Sequence, residues 1–476
     1  MAFSVKNSIH FLSSSSFSSS SCSNCRSSLQ APMFEDHISQ LPDAILVSIL
    51  SLLTLREAAI TSLLSRRWRY LWTYVQSLDF DPFSFQPKCI DVEDQRRCVK
   101  MDALKYVSWL NNVVESHRGS NLEYFNAIVC SSADTSQVYR WISFALMKRT
   151  KVLELDFRTR HCDDCDFSYY LYRCVYSNPD GMSWIKSLKT LILSGALVTA
   201  ETLEFLFSNC PQLITLQVRM CGGPVNLRID NDHIQRLQIL YCHNIKSIEI
   251  VSAQNLVSFA YKGATFEFYV KNAPSLVRLD IGSNVRHSPK FARDSFAESL
   301  PQLNRLKVSI IEYFSGYISQ FPDGDFPKLK QLVLNVDAYS CEIFLDIICL
   351  IERSTSLEKF TLLFDRHYNT SFNKPVGTPK KEIYNFPHYH LKDVKFVGFT
   401  GCRGDSELVQ YLLDNAVNME KFVLDINKPY HVTQPNEYED SKRKFALKRA
   451  KELVETTLHR KIDFISIINY DARLNK

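Results

Sequence analysis

The residues best suited to chemistry are the cysteines. The chain has fourteen of them, and two pairs have Cys-x-x-Cys spacing: Cys22 with Cys25, and Cys162 with Cys165 directly after His161. Two such pairs brought together would hold a tetrahedral zinc ion. Here Cys162 lies far along the chain from Cys22, and the first pair sits in a serine-rich stretch. The two pairs are therefore not expected to share a metal. The second pair could recruit His161 and Cys174, although a loop inserted between repeated elements fits that stretch better. No P-loop, Gly-x-Ser-x-Gly elbow or His-Glu-x-x-His run occurs. Gly398, Gly401 and Gly404 match no phosphate-cradling fingerprint, and Arg403-Gly404-Asp405 reads as chance. The expectation is a chain that is not an enzyme, with no catalytic residue, no metal and no cofactor.

Composition narrows the class. Of 476 residues, 45% are hydrophobic and 22% charged, as in an ordinary soluble globular protein. A net charge of +5 is small for this length and gives no nucleic-acid footprint. No apolar run reaches the roughly 18 residues of a membrane span. The longest candidates, Ala44 to Leu53 and Phe344 to Ile351, fall short. Scattered cysteines without a secretory signal read as reduced, buried thiols. The first thirty positions hold thirteen serines, and the first carboxylate is Glu35. Residues 1–34 thus read as a disordered tail that cannot bury enough apolar surface to fold, or as a chloroplast-type transit peptide. Lys442-Arg443-Lys444 with Lys448 and Arg449 reads as a solvated helix face, with a nuclear signal as the alternative. Cytoplasm, nucleus or both is the expected location.

Residues 35–80 carry the first helical pattern. Pro42 suits a first helical turn, where its missing N–H costs nothing, and Asp43 favours the helix N-terminus. Ile45, Leu46, Ile49, Leu50 and Leu53 recur at three- and four-residue steps and share one face. Thr54 and Glu57 have capping-box spacing and should start a second helix. Ser65 can cap a third, carrying Trp68, Leu71 and Trp72. Three short helices make a poor independent core and want a partner to cover them.

This segment resembles a plant F-box. The resemblance is carried by Ile38, Leu41, Pro42, Ile45, Leu46, Ile49, Leu50, Leu53, Leu64, Ser65, Arg67, Trp68, Leu71 and Trp72. One departure is Leu53-Thr54-Leu55-Arg56, where the family often has Leu-Pro-Thr-Lys. The resemblance implies docking on a Skp-type adaptor through Leu41, Pro42, Ile45, Leu46, Ile49, Leu50, Leu64 and Trp68, as contact or support.

From residue 96 onward the pattern Leu-x-x-Leu-x-Leu, with other apolar residues allowed, recurs thirteen times. Its middle positions are Phe125, Leu153, Leu191, Leu216, Leu237, Ile248, Phe259, Leu279, Leu306, Leu332, Phe360, Val394 and Phe422. Most steps between them are of similar length. Leu153 to Leu191 and Phe360 to Val394 are longer, and the two steps around Ile248 are about half as long as their neighbours. A strand with one apolar face cannot stand alone, so parallel stacking must bury a continuous core behind return segments. Thr199 to Asn209, Tyr339 to Glu352 and Asp405 to Ala416 read as helical returns. The two short steps leave no room for a helix and should hold only strands and tight turns. Cys130, Cys221, Cys242, Asn284 and Asn427 fall eight residues after the first apolar position. This is where leucine-rich repeats place Asn or Cys to bond the backbone between turns.

The predicted fold class is α/β: a small three-helix F-box followed by an irregular leucine-rich-repeat solenoid, or horseshoe. Residues 81–145 would be a connector and first repeat, and 146–380 the leucine-rich repeats. Residues 381–476 would be C-terminal repeats and a cap resembling the FBD region of plant F-box proteins. That last likeness rests on Val394 to Phe396, Gly398, Gly401, Tyr411-Leu412-Leu413 and Met419 to Leu424. The stretch Trp141 to Ala145 followed by Val152 to Asp156 resembles the same family.

Residues flanking each middle position should face outward on the concave sheet. In the first half these are Thr190, Ile192, Thr215, Gln217, Arg236, Gln238, Ser247 and Glu249. In the second half they are Arg278, Asp280, Arg305, Lys307, Gln331, Val333, Lys359, Thr361, Asp393, Lys395, Lys421 and Val423. Arg278, Arg305, Lys307, Lys359, Lys395 and Lys421 are expected to attract an acidic segment of a target, or else to be an ordinary solvated face. The family resemblance implies the substrate-recognition subunit of a Skp–cullin–F-box ubiquitin ligase. Its partners would be the Skp-type adaptor, through it a cullin-RING ligase, and an unidentified protein target, with no nucleic acid and no membrane. The alternatives are a protein-binding scaffold outside a ligase and a plastid-imported repeat protein.

Overall fold

Thr54 and Glu57 close the capping box that their spacing predicts. The Glu57 amide donates to the Thr54 hydroxyl at 3.3 Å, and the Thr54 amide donates to Glu57 Oε2 at 3.0 Å. In the computed structural model, the structure describes residues 37–38, 40–81, 103–130, 132–158, 166–222, 226–242, 245–263, 267–283, 290–291, 300–311, 324–338, 343–366, 386–427, 437–457 and 465–468. The chain divides into two units, 1–46 and 47–476, and the division falls inside the helix Asp43–Leu50. That helix hangs from the Pro42 carbonyl, which accepts from the amides of Ile45 and Leu46.

A second helix, Leu55–Ile60, runs on into a 3-10 turn at Thr61–Leu63. The expected third helix is also 3-10, Trp68–Tyr74, and Ser65 does not cap it: its N-cap is Arg67, with no side-chain bond. Three residues per turn set Trp68 and Leu71 on one line, and both are buried.

Fourteen parallel strands among the described residues make one sheet, from Ser77–Asp79 to Ile465–Ile468. Twelve predicted middle positions align side by side, beginning Phe125↔Leu153↔Leu191↔Leu216 and ending Leu332↔Phe360↔Val394↔Phe422. Every one is 1% exposed or less. Burying such a side chain is worth about 1.5–3 kcal/mol, so this single row is a large part of the core.

Ile248 is the exception. Its strand, Ser247–Ser252, lies in a second parallel sheet with Asn226–Asp230, Glu267–Val270 and Lys290–Phe291. The two short steps are therefore one full repeat, Leu237 to Phe259, with Ile248 in its return. Strands were expected there, but Ser247 and Glu249 do not belong to the main sheet face. Return length explains most of the choice of structure, although the long step from Leu279 to Leu306 still holds the strand Lys290–Phe291. The shortest full steps, Leu216 to Leu237, Leu237 to Phe259 and Phe259 to Leu279, return through a strand. Longer steps return through the helices Ala200–Asn209, Thr135–Met147, Ile343–Glu352 and Arg403–Asn415. The longest, Leu153 to Leu191, holds two helices, Phe167–Tyr176 and Gly181–Ile185.

The cysteines at the repeat corners are buried and bond backward. Cys221 Sγ donates to the Arg219 and Leu193 carbonyls at 3.1 and 3.8 Å, and Cys242 Sγ to Val218 at 3.7 Å. Asn231 serves the second sheet in the same way. Its Nδ2 donates to the Phe207 carbonyl, and its Oδ1 accepts from the amides of His233 and Ile234. Gly401 has a chain reversal at φ +76° and a close approach, since a Cβ there would stand 3.2 Å from Ala446 Cα. The helix Glu437–Thr457 packs on that spot through buried Ala446 and Ala450. Its basic run is thus only partly solvated. Arg443 Nη2 donates to Asn427 Oδ1 at 2.6 Å, and Arg449 pairs with Glu452.

Leu306→Ala should cost about 2–5 kcal/mol, because its row is closed on both sides and cannot collapse into the gap. Denaturant unfolding at constant pH checks this. His388 is buried beside the Tyr411 hydroxyl at 2.8 Å, and burial lowers its pKa to about 4. With the folded pKa below the unfolded 6.5, this histidine's contribution is complete above pH 6.5. It is lost as pH falls from there toward 4, up to about 3 kcal/mol. His388→Gln should flatten the pH dependence of unfolding across that window.

Candidate functional site

Two surfaces carry the residues that the sequence singles out for contact. The first is the helical segment near the N-terminus, where the structure divides the predicted docking residues. Leu46, Leu50 and Trp68 are buried at 0, 1 and 7% exposure, so they shape the segment from inside. Leu41 is half-buried. Pro42, Ile45, Ile49 and Leu64 are exposed. Within the first unit, Ile38 is exposed as well; within the second, so are Leu52, Leu53, Ile60 and Leu63. The sequence reading left these five off the site. Ile38 and Leu53 belong to the F-box pattern; for Leu52, Ile60 and Leu63 the only signal was an excess of apolar residues beyond what one helical stripe can bury.

The last turn of this segment is fastened to the repeats. Ser77–Asp79 is the first strand of the large sheet, pairing Leu78 with Phe125. Asn126 Nδ2 donates to Asp79 Oδ1 at 2.8 Å. Phe80 meets Trp109 edge-on at 4.9 Å and Phe125 at 5.6 Å. The buried Tyr106 hydroxyl donates to the Phe80 carbonyl and accepts from the Ile128 amide. His117 contacts the Val75 carbonyl at 3.0 Å, and burial pushes its pKa down.

The second surface is the outward face of the large sheet. In its early strands the polar groups satisfy one another. The Tyr124 hydroxyl donates to Glu154 at 2.9 Å, and Arg158 forks onto Asp156, which raises the arginine's pKa. In the later strands two rows run across neighbours. One is Arg236–Ser258–Arg278–Arg305–Gln331–Lys359–Asp393–Lys421. The other is Asp280–Lys307–Val333–Thr361–Lys395–Val423. Adjacent strands lie about 4.8 Å apart, so neighbours in a row can share one ligand. Gln217, Val333 and Val423, expected to face solvent, are buried at 7, 9 and 6% exposure. Lys307 pairs with Asp280 at 3.7 Å and Lys359 with Asp393 at 2.7 Å. Arg236, Arg278, Arg305, Lys395 and Lys421 are exposed and form no ion pair among the described residues.

A family model described as "At1g61320/AtMIF1, LRR domain" matches residues 113–460. The chain belongs to this leucine-rich-repeat family. An F-box domain matches residues 38–79, directly ahead of it. Among similar proteins of Arabidopsis thaliana, F-box/FBD/LRR-repeat protein At1g13570 is 23% identical over 413 residues, covering 81% of this chain and 90% of its own. F-box/FBD/LRR-repeat protein At1g51370 is 24% identical over 415 residues, covering 82% and 89%. The chain is thus an F-box leucine-rich-repeat protein, a mixed α/β chain with the domain make-up of a protein-binding adaptor.

The remaining candidates for chemistry fall into place or out of view. Cys22, Cys25, His161, Cys162, Cys165 and Asn284, and the serine-rich N-terminus, lie outside the described residues. Cys174 is buried, and desolvation pushes its thiol up to about 12, against the thiolate a metal needs. No group of three or more His, Cys, Asp or Glu among the described residues could hold a metal. No described helix is long and apolar enough to cross a membrane. Asp405 of Arg403-Gly404-Asp405 is buried in a helical first turn, where it accepts from the Thr400 amide and hydroxyl.

Leu64→Ser should change stability by no more than about 0.5 kcal/mol, since its side chain is 69% exposed. Leu50→Ala should cost about 2–5 kcal/mol. Paired denaturation curves of the two variants test this division of the segment into surface and core.

Proposed function

We propose that this F-box leucine-rich-repeat protein is the substrate-recognition subunit of a Skp–cullin–F-box ubiquitin ligase. The observation that carries the reading is the run of apolar side chains left at the surface of the F-box. Ile38 and Ile45 belong to its first unit, and Ile49, Leu52, Leu63 and Leu64 to its second. Apolar surface of this kind in a small helical segment is stabilised by a covering partner. A Skp-type adaptor is the partner that an F-box domain implies, and a cullin-RING ligase would be reached through it. Leu46 in the first unit, and Leu50 and Trp68 in the second, support the exposed residues of their own unit; Leu41 and Pro42 set the entry of the first helix.

The later strands of the sheet face would receive the target. Arg278, Arg305, Lys395 and Lys421 offer positive charge that forms no ion pair among the described residues, whereas Lys307 and Lys359 are each engaged by a carboxylate. This pattern suits an acidic segment of a target protein. The chain's own contribution is to hold two proteins, and the transfer chemistry would come from partner enzymes.

A titration of purified full-length chain with a Skp-type adaptor tests the first half. Ile45→Asp with Leu64→Asp removes two apolar anchors worth about 1.5–3 kcal/mol each and should weaken binding about a hundredfold or more. No affinity of the unaltered chain for the adaptor would overturn the reading. Arg278→Glu with Arg305→Glu should leave adaptor binding intact while reducing proximity-labelled targets in plant cells. An unchanged set of labelled proteins would reject the sheet face as the capture surface.

A further inference from the structure

The return side of the repeats holds a groove that neither surface uses. It is open, about 550 Å³, and lies along the helices Phe167–Tyr176 and Ala200–Asn209. Tyr172, Tyr176 and Phe205 line it together with Glu201 and Glu204. The Tyr172 and Phe205 ring centroids are 5.3 Å apart at an interplanar angle of 73°. Tyr176 lies 6.0 Å from Tyr172 and 6.1 Å from Phe205. Tyr176 is 69% exposed, a large aromatic area to leave in water. The Glu201 backbone amide and the Thr199 hydroxyl hold the Glu201 carboxyl below its ordinary pKa range, so it is ionised at neutral pH. Glu201 and Glu204 form no ion pair among the described residues.

The neighbouring pair of helices shows what such rings receive. Between Thr135–Met147 and Phe167–Tyr176, the Arg173 guanidinium sits 4.3 Å from the Tyr139 ring and 5.9 Å from that of Tyr169. Its Nη1 donates to the Tyr169 hydroxyl at 3.0 Å. That site has aromatic walls and a cation supplied by the chain itself. One repeat on, the aromatic walls recur and two carboxylates join them, but no lysine or arginine lines the groove.

We propose that this groove is a second protein-binding site, which takes an arginine side chain presented by a partner protein. The ring faces attract a cation within about 6 Å, and the attraction grows as the cation sheds water. Arginine suits the site better than lysine. Its flat guanidinium can lie on Tyr176 or Phe205 while its fork of N–H donors reaches Glu201 and Glu204. The site is on the helical return side and is independent of the sheet face, so it could be filled while a target is held there.

The test uses the full-length chain and a labelled peptide of alternating Arg and Gly, followed by fluorescence anisotropy. A second peptide carries citrulline, a neutral isostere, at every arginine. Saturable binding of the arginine peptide is expected, with the citrulline peptide about tenfold weaker or more. Glu201→Gln with Glu204→Gln keeps shape and fold, being exposed, and should lower affinity about fivefold or more. Tyr176→Ala with Phe205→Ala should lower it by at least as much. Equal binding of the two peptides, arginine-peptide binding undiminished by Glu201→Gln with Glu204→Gln, or no saturable binding in the millimolar range would overturn the proposal.

Discussion

A strand with one apolar face can stay folded only beside another like it, and this chain satisfies that constraint by repetition. The row from Phe125 to Phe422 is continuous because each side chain rests on its counterpart in the next strand, in register. Parallel neighbours cannot be joined by tight hairpins, so every strand needs a return path on the far side. Everything else in the repeats answers to these two demands. Cys221 and Cys242 satisfy carbonyls at the corners where the chain leaves the sheet. The shortest returns are strands, and most of the longer ones are helices.

The same constraint reaches into the F-box domain. Ser77–Asp79 gives the first repeat a neighbour on its open side, so that edge of the sheet is not left bare. Phe80, Trp109, Phe125 and Tyr106 fill the space behind it. Residues 77–79 are therefore part of the sheet as well as the end of the F-box domain. A fixed junction of this kind suits an adaptor, which must hold one protein at a set place relative to another.

Charge on the sheet face follows the order of the strands. Early strands satisfy their own polar groups, Tyr124 bonding Glu154 and Arg158 pairing with Asp156. Later strands set arginines side by side, with Arg278 directly across from Arg305. Like charges in lateral register cost stability, and the fold holds them without a compensating ion pair among the described residues. Such an arrangement is more intelligible as a surface for a ligand than as a device for folding.

Much of this was legible in the sequence, because periodicity reports burial directly. The thirteen middle positions, the Thr54–Glu57 cap, the helix after Thr199 and the structural role of Cys221 and Cys242 all follow from spacing and side-chain type. Periodicity could not tell which sheet a strand joins. Ile248 has the same flanking pattern as Leu237, yet its strand lies on the return side, because the step from Leu237 to Phe259 has room for a strand out and a strand back. Nor could it separate Leu50 from Ile49, or Lys359 from Arg305. In each case both residues have the same chemistry and fit the same pattern. What they touch is fixed only when distant segments meet: Leu50 is enclosed, and Lys359 finds Asp393 on the next strand of the sheet. The sequence by itself determined the repeat, its core row and its class, since these depend on local alternation. The tertiary structure alone decided which charges stay free and where aromatic rings and carboxylates converge, since these depend on neighbours far apart along the chain.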